Sequence, residues 1–423
     1  MIDSNSLSEV HISKLVYGGQ GLGELQDGKK AFVWNSLPGE IVKVRIIKQQ
    51  STYVEAIAEE IVLASSERIA PLESNYLDTS PWQIMGFESE NRYKKDITLE
   101  LLTRQKVKLL DVIGTTHDEN EWHYRNKMEY DFLNDKTGLH IASYQRSSHA
   151  KQIVEGSQLA MPCINQAACG MLNLLKETNV QADMLNTIIV RCTQNSEAVA
   201  SIYTKSSTFP KFKLPNQLKG LRVNSLKSVN DFTDAPPLIY EVGDCVLEDT
   251  LLGKQFSYDV DSFFQVNVPV FAKALKRIQD HCRAEEVVDM YSGVGVIGLS
   301  VARKTVDLIE VDPKMTTIAD INAKNTGLNV HVVKASSERA LSYIGDGKTI
   351  IFDPPRAGLS DWVTTKVLET KPPQIIYLSC DPATQARDLA RLQVSYDITY
   401  FEVFNFFPRT PQIETLAILK AKK

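Results

Sequence analysis

VVDMYSGVGVIGL, residues 287–299, is the stretch of the chain that decides its fold. The strand-like VVDM runs into a glycine turn at residues 291–298, and an apolar helix follows. Glycines there let the backbone approach a ligand, and the first N–H groups of the helix offer donors. Glu310, at the end of the next strand, supplies a carboxylate that can accept both hydroxyls of a ribose. The pattern indicates a ribose-containing cofactor. A tight turn that binds no ligand is the alternative. The motif also does not distinguish a nicotinamide cofactor from S-adenosylmethionine.

Helix-like and strand-like runs alternate along the whole carboxyl-terminal part of the chain, residues 262–423. VPVFAKALKRIQDHC and ATQARDLARL have helical spacing, whereas VDLIEVD, KTIIFDPP and QIIYLSCD are short apolar runs. This alternation predicts a mostly parallel sheet covered by helices, that is, a doubly wound, Rossmann-like α/β domain.

The amino-terminal part has a different pattern. Residues 10–63 alternate apolar and polar side chains between turn glycines, which predicts a small all-β barrel spanning residues 1–65. A linker at 64–90 and a central mixed α/β domain over 66–261 follow, with a helix predicted for RYKKDITLELLTRQKVKLLDVI. Three domains suit a chain of 423 residues, which is too long for one hydrophobic core.

Charge and composition limit the partners. The net charge of −5 gives no global attraction to nucleic acid, so an RNA-binding surface must be local. Residues 198–230 contain no acidic residue but six basic ones, and they form either such a surface or a solvated face. No apolar run is long enough for a membrane span, and the amino terminus has no leader-like pattern. We expect a cytoplasmic protein with no membrane association, and no protein partner is inferred.

Three polar residues at the ends of carboxyl-terminal strands are candidates for chemistry. Asp353 lies in the rigid loop DPPR, whose prolines fix the carboxylate at the ligand-binding edge of the sheet. Cys380 follows the strand IIYLS, where a nearby helix end favours the thiolate. Glu414 leads a strand after a proline-rich turn. A thiolate and a carboxylate converging on one site is what addition to a pyrimidine requires. Taken singly, each also fits a structural role.

Together these residues resemble the RNA 5-methyluridine methyltransferase family. The resemblance covers SFFQVN, DMYSGVGVIGL, IEVDP, DPPRAGL, YLSCDPATQARDL and PQIETLAIL, and KLVYGGQGLGEL is similar to the family's TRAM barrel. It implies an S-adenosylmethionine-dependent RNA methyltransferase in which Cys380 adds to C6 of uracil and Glu414 removes the C5 proton. It also implies a set of cofactor-binding residues: Gln265, Tyr291, Gly293, Glu310 and Asp353. Phe263, Gln265 and Asp353 would contact the substrate base.

The chain departs from the family at the cysteines that bind an iron–sulfur cluster, and Val296 and Ser336 stand where some relatives have Asn side chains facing S-adenosylmethionine. Several members hold an iron–sulfur cluster through cysteines, but residues 1–162 contain none, and Leu159 stands where the last ligand would fall. We therefore expect no iron–sulfur cluster and no metal site.

Two other functions are compatible with parts of the sequence. A methyltransferase of the same fold could act on an amine or on cytosine, but Arg356 stands where an amine-specific enzyme has an aromatic ring. A non-catalytic RNA-binding factor is the second rival, and the intact Cys380, Asp353 and Glu414 speak against it. The arrangement of a barrel followed by a central domain resembles that of ribosomal enzymes, so we expect 23S ribosomal RNA as the substrate, with transfer RNA as the alternative.

Overall fold

The computed structural model describes residues 7–109, 113–146, 148, 150–227, 236–282, 284–324, 326–345 and 347–422. The chain divides into two compact units. The first comprises Met1–Glu121, Pro354–Leu368 and Ile376–Lys423, and the second comprises Trp122–Asp353 and Glu369–Ile375. The three-domain division predicted from the sequence stays a prediction. Residues 1–6 of the predicted barrel domain, 110–112 of the predicted helix and 228–230 of the basic stretch lie outside the described residues.

The amino-terminal strands of the first unit close into a barrel, as predicted. Inward-facing apolar side chains such as Val10, Ile12 and Val54 are fully buried, because alternate residues of a strand point to the same face. The order around the barrel is β1-β2-β3-β5-β4. The strands are β1 (Ser8–Leu15), β2 (Gly21–Glu24), β3 (Lys30–Trp34), β4 (Ile41–Gln49) and β5 (Tyr53–Leu63).

The segment after the barrel is folded rather than extended. It contains α1 (Tyr76–Thr79), a 3-10 helix at Pro81–Ile84, α2 (Phe87–Arg104) and β6 (Ile113–Thr116). Trp82, in the predicted linker, is 1% exposed. Helix α2 is confirmed, but it ends before the predicted limit because Lys106 adopts a positive φ of 56° and its N–H bonds to the Thr103 carbonyl.

The second unit begins with a seven-stranded sheet in the order β13-β12-β11-β10-β7-β8-β9. Helix α3 packs its apolar face, including Ile164, Met171 and Leu175, into the core of this sheet. The elements are β7 (Lys127–Asp135), β8 (Gly138–Tyr144), β9 (Lys151–Ile153), α3 (Pro162–Glu177), β10 (Leu185–Cys192), β11 (Ala198–Thr204), β12 (Gly220–Ser225), β13 (Leu238–Gly243) and the hairpin β14 (Val246–Leu251) and β15 (Lys254–Asp259), with 3-10 helices at Ala182–Met184 and Leu341–Tyr343.

The same unit continues with four parallel strands in the order β18-β17-β16-β19. Their helices were predicted from the 3.6-residue period, and α4 buries Phe271, Leu275 and Ile278 on one face. The elements are α4 (Val268–His281), β16 (Glu286–Asp289), α5 (Val296–Val301), β17 (Thr305–Glu310), α6 (Pro313–Ala323), β18 (Asn329–Lys334) and β19 (Thr349–Phe352).

The carboxyl-terminal strands of the first unit are ordered β20-β22-β21-β6. Strand β22 is antiparallel to β21, and β6 is parallel to β21. The elements are α7 (Asp361–Thr370), β20 (Gln374–Ser379), α8 (Pro382–Leu392), β21 (Tyr396–Phe404) and β22 (Glu414–Ala421). In the part of the chain that the structure describes, no helix is both long and apolar enough to cross a membrane.

Candidate active site

The glycine turn after β16 lies against the carboxylate that ends β17. Gly293 and Gly295 have φ values of 54° and 89°, which favour glycine. The Gly293 N–H donates to Glu310 Oε2 at 2.9 Å, and the N–H groups of Val311 and Asp312 donate to Oε1 at 2.8 Å. Three donors thus fix the Glu310 carboxylate. A Cβ added to Gly293 would meet no atom within 4 Å, so the turn is open to a ligand on that side.

Asp289, which the sequence reasoning did not single out, supports this turn from below. Its side chain is fully buried, and its Oδ2 accepts a hydrogen bond from the Gly298 N–H at 2.8 Å. Burial raises the pKa of Asp289 to about 7, and the negative charge of Glu310 adds to the effect. Its position at the end of the apolar strand VVD was the available signal.

Tyr291 and Asp353 follow the ends of two neighbouring strands, β16 and β19. The Tyr291 hydroxyl is 3.0 Å from Ser337 Oγ, which donates to it. Asp353 directly follows β19 and is partly buried. Burial raises the pKa of Asp353 to about 7, with a further contribution from Asp289. Because β17, β16 and β19 are parallel neighbours, the structure brings Tyr291, Gly293, Glu310 and Asp353 to one edge of the sheet.

The SFFQVN segment, residues 262–267, is held by two buried polar side chains. The Arg191 guanidinium donates to the carbonyl oxygens of Ser262 and, at 2.6 Å, Phe264. Asn126 Nδ2 donates to the Gln265 carbonyl at 3.2 Å. In this segment the Phe263 side chain is 64% exposed, whereas Gln265 is buried. Neither support was predicted from the sequence, although a lone arginine at the end of the apolar strand TIIVRC was a signal for Arg191.

Cys380 lies between the end of β20 and the start of α8, in the first unit. Its thiol is partly exposed. Asp381 caps α8, because its Oδ1 accepts hydrogen bonds from the N–H groups of Ala383 and Thr384 at 3.0 and 2.9 Å. The dipole of this 11-residue helix favours a negative charge near its start, which suits a thiolate at Cys380.

Glu414 is the first residue of β22, the neighbour of β20 in the sheet, and it is 2% exposed. The Thr415 hydroxyl lies 2.8 Å from Gln385 Oε1 and 3.4 Å from the Ser379 carbonyl oxygen. The residue that follows Glu414 is therefore in contact with the residue that precedes Cys380. The structure brings the two predicted catalytic residues to adjacent strand ends.

The basic stretch is only partly available for RNA. Lys219 pairs with Glu197 and Asp244, and Arg222 pairs with Glu241, Asp259 and Asp261. The side chains of four other lysines are exposed: Lys205, Lys211, Lys213 and Lys227. A role in RNA binding stays a prediction.

The described residues contain no group of three or more His, Cys, Asp or Glu side chains that could hold a metal ion. The expectation that no iron–sulfur cluster is present stays a prediction.

The glycine turn after β16 allows close approach of S-adenosylmethionine to the backbone, and the fixed Glu310 carboxylate at the end of β17 suits its ribose. Fold and site define an S-adenosylmethionine-dependent methyltransferase. The model of the tRNA (uracil-5-)-methyltransferase family matches residues 91–422, and that of the TRAM domain matches residues 5–58. The chain belongs to the tRNA (uracil-5-)-methyltransferase family, and its activity is S-adenosylmethionine-dependent methylation of uracil C5 in RNA.

The chain is also similar to RNA methyltransferases of two bacteria and to one solved structure. An uncharacterized RNA methyltransferase of Aquifex aeolicus is 30% identical over 97% of this chain and 98% of its own length. An uncharacterized RNA methyltransferase of Fusobacterium nucleatum is 26% identical over 100% of this chain and 97% of its own length. The crystal structure of Pyrococcus abyssi tRNA (uracil-54, C5)-methyltransferase with S-adenosyl-L-homocysteine has a TM-score of 0.80 at 21% identity, and the match covers 97% of this chain and 100% of that one. The predicted barrel and Rossmann-like methyltransferase fold are confirmed.

Proposed function

We propose that this protein methylates C5 of a uridine in ribosomal RNA by a covalent mechanism, with Cys380 as nucleophile and Glu414 as base. The observation that carries the proposal is the contact of Thr415 with Ser379, which places Glu414 and Cys380 on adjacent strand ends. Cys380 is partly exposed at the start of a helix, whereas Glu414 is buried. One group is accessible for attack on a base, and the other is shielded from water.

The chemistry follows from the weak nucleophilicity of uracil C5. The Cys380 thiolate adds to C6, so the electron pair of the C5–C6 double bond moves toward C5 and O4 and makes C5 a carbon nucleophile. S-adenosylmethionine, when bound by Gln265, Tyr291, Gly293, Glu310 and Asp353, supplies the methyl group. Glu414 then removes the C5 proton, the double bond re-forms, and the Cys380 thiolate leaves C6.

Recognition of the base would use residues of the SFFQVN segment and the DPPR loop. Phe263 offers an exposed ring on which a displaced base can stack. Gln265 and Asp353 would form hydrogen bonds to the uracil once it has left its own stack. With a pKa of about 7, Asp353 can serve as a hydrogen-bond donor or acceptor near neutral pH.

Transfer RNA is the second candidate substrate. The archaeal enzyme with the same fold acts, by its name, on uracil 54 of tRNA, and the family description also names tRNA. A barrel joined to a central domain and a methyltransferase domain is thus compatible with either RNA. We retain ribosomal RNA, 23S in particular, because the arrangement of a barrel followed by a central domain resembles that of ribosomal enzymes.

The experiment is quantitative mass mapping of 5-methyluridine in ribosomal and transfer RNA from a strain lacking the gene. Loss of one 5-methyluridine from 23S RNA, restored by the wild-type gene but not by a Cys380→Ala gene, supports the proposal. Loss confined to tRNA overturns the choice of substrate but not the chemistry. An unchanged content in both pools contradicts the proposed function and favours a non-catalytic RNA-binding role.

A further inference from the structure

The turn between β1 and β2 of the barrel, residues 16–20, contacts the loop that carries Cys380. Both belong to the first unit. The Tyr17 hydroxyl donates a hydrogen bond to Asp381 Oδ2 at 2.6 Å. The other carboxylate oxygen of Asp381 caps helix α8. The side chain adjacent to the proposed nucleophile is therefore held from both sides, by the helix it caps and by the barrel.

The same turn packs on the chain that leads to Glu414. A Cβ added to Gly19 would lie 2.4 Å from Pro411 Cβ, so the Gly19 backbone directly contacts that ring. Pro411 precedes Glu414 by three residues. The Gly19 carbonyl also accepts a hydrogen bond from Trp82 Nε1 at 3.0 Å, and the Trp82 N–H donates to the Arg409 carbonyl at 3.1 Å. One barrel turn thus contacts the segments beside both proposed catalytic residues.

Electrostatics makes Tyr17 a permanent donor. Burial raises the pKa of Tyr17 well above its usual value, and the nearby Asp381 and Cys380 add to the rise, while Arg356 opposes it. The phenol therefore keeps its proton at any working pH.

The described residues of the barrel do not form a strongly basic surface next to the Tyr17–Asp381 contact. Residues 7–63 contain seven acidic and six basic side chains, with histidine taken as neutral. Each of the six basic side chains lies within ion-pair distance of a carboxylate of the same unit: Lys14, Lys29, Lys30, Lys43, Arg45 and Lys48. The barrel contacts the segments beside Cys380 and Glu414 through the turn at residues 16–20, and its basic side chains are paired with carboxylates.

We infer that Tyr17 is a positioning residue of the methyl-transfer reaction, which holds the Cys380–Asp381 loop in place through its hydrogen bond to Asp381. The inference rests on the proposed function, because it takes Cys380 as the nucleophile. Tyr17 need not touch the base, and its effect passes through Asp381.

The test uses Tyr17→Phe in the full-length protein, with 5-fluorouridine transcripts of 23S and transfer RNA as the probe. The rate of covalent adduct formation under single-turnover conditions should fall about five- to twenty-fold, as loss of one charge-assisted hydrogen bond predicts. Dissociation constants for RNA and for S-adenosylmethionine should stay within about two-fold, since the change removes no contact to either. An equal adduct rate in both proteins overturns the positioning role. If wild-type protein forms no adduct through Cys380, the proposed function itself fails.

Two further comparisons separate positioning from general loss of structure. Gly19→Ala should slow the adduct because its Cβ would strike Pro411, whereas Gly28→Ala, in another barrel turn with a positive φ and no close neighbour, should not. Asp381→Ser keeps an N-capping side chain and removes the oxygen that Tyr17 contacts. Adding Tyr17→Phe to Asp381→Ser should therefore produce no further slowing. If the rate decreases caused by Tyr17→Phe and Asp381→Ser multiply in the double variant, Tyr17 does not act through Asp381.

Discussion

The ammonium group of Lys94 donates a hydrogen bond to Asn405 Oδ1 at 2.6 Å, in the core of the first unit where neither side chain is exposed. Lys94 also donates to the Phe407 carbonyl and lies 3.1 Å from Glu90 Oε1. Glu90 in turn accepts a hydrogen bond from the Arg409 N–H at 2.9 Å. This buried network fastens the loop between β21 and β22, which leads to Glu414, onto helix α2.

Replacing Lys94 by Met should destabilise the protein strongly. The change leaves the Glu90 carboxylate buried without its cation, and breaking a buried pair from one side costs about 3–5 kcal/mol. The measurement is urea unfolding at pH 7. Lys95→Met, one residue along the same helix at a partly exposed position, is the matched control and should shift stability by less than about 0.5 kcal/mol. Equal unfolding curves for wild type and Lys94→Met would mean that the network contributes little.

The network also shows where prediction from sequence ends. The barrel and the parallel strands could be predicted because a two-residue or 3.6-residue period and turn glycines are local signals. Helix α2 carries Glu90 and Lys94 in a highly charged run that is typical of a solvated face, and Asn405 lies 311 residues further along the chain. Nothing in the local sequence indicates that these charges are buried together.

The same distinction holds at the active site. Cys380, Glu310 and Asp353 could be proposed because each lies at the end of an apolar strand. Tyr17 could not, since its role depends on a partner 364 residues away. Arg191 had a local signal at the end of an apolar strand, but its partners lie 71 to 73 residues away and could not be predicted. The candidate site residues were signalled by strand ends, whereas the residues that hold the neighbouring segments depend on tertiary contacts.

Asp289 should make stability depend on pH in an unusual direction. Its folded-state pKa of about 7 lies above the unfolded value of 3.8, so the folded state binds more protons between those values. Stability is therefore lost as pH rises through this window. Asp289→Asn cannot ionise and keeps an acceptor for the Gly298 N–H. Relative to wild type, the variant should gain about 1–3 kcal/mol between pH 5 and pH 8. Urea unfolding midpoints across this range provide the measurement, and parallel pH profiles would show that Asp289 does not titrate there.

Replacing Glu310 by Ala should weaken binding of S-adenosylmethionine by about 1–3 kcal/mol, because it removes a charge-assisted acceptor for the ribose. It also releases the Gly293 N–H from its partner. RNA affinity should stay near normal. Calorimetric titration with the cofactor measures the effect, and Glu285→Ala, an exposed carboxylate paired with Lys304, serves as control. An unchanged dissociation constant would show that the end of β17 does not hold the cofactor.

The covalent mechanism requires Cys380 and Glu414 to act at different steps on one base, and their variants should fail differently. Cys380→Ala should abolish methylation and any covalent adduct, although RNA and cofactor still bind. Glu414→Gln keeps the size of the buried side chain and removes the base, so C5 should be methylated while the RNA stays attached through Cys380, because the C5 proton is not removed. On a denaturing gel, a protein–RNA species should therefore accumulate for Glu414→Gln and be absent for Cys380→Ala. Substantial uridine methylation by Cys380→Ala would rule out Cys380 as the nucleophile, since C5 would then have reacted without a partner at C6.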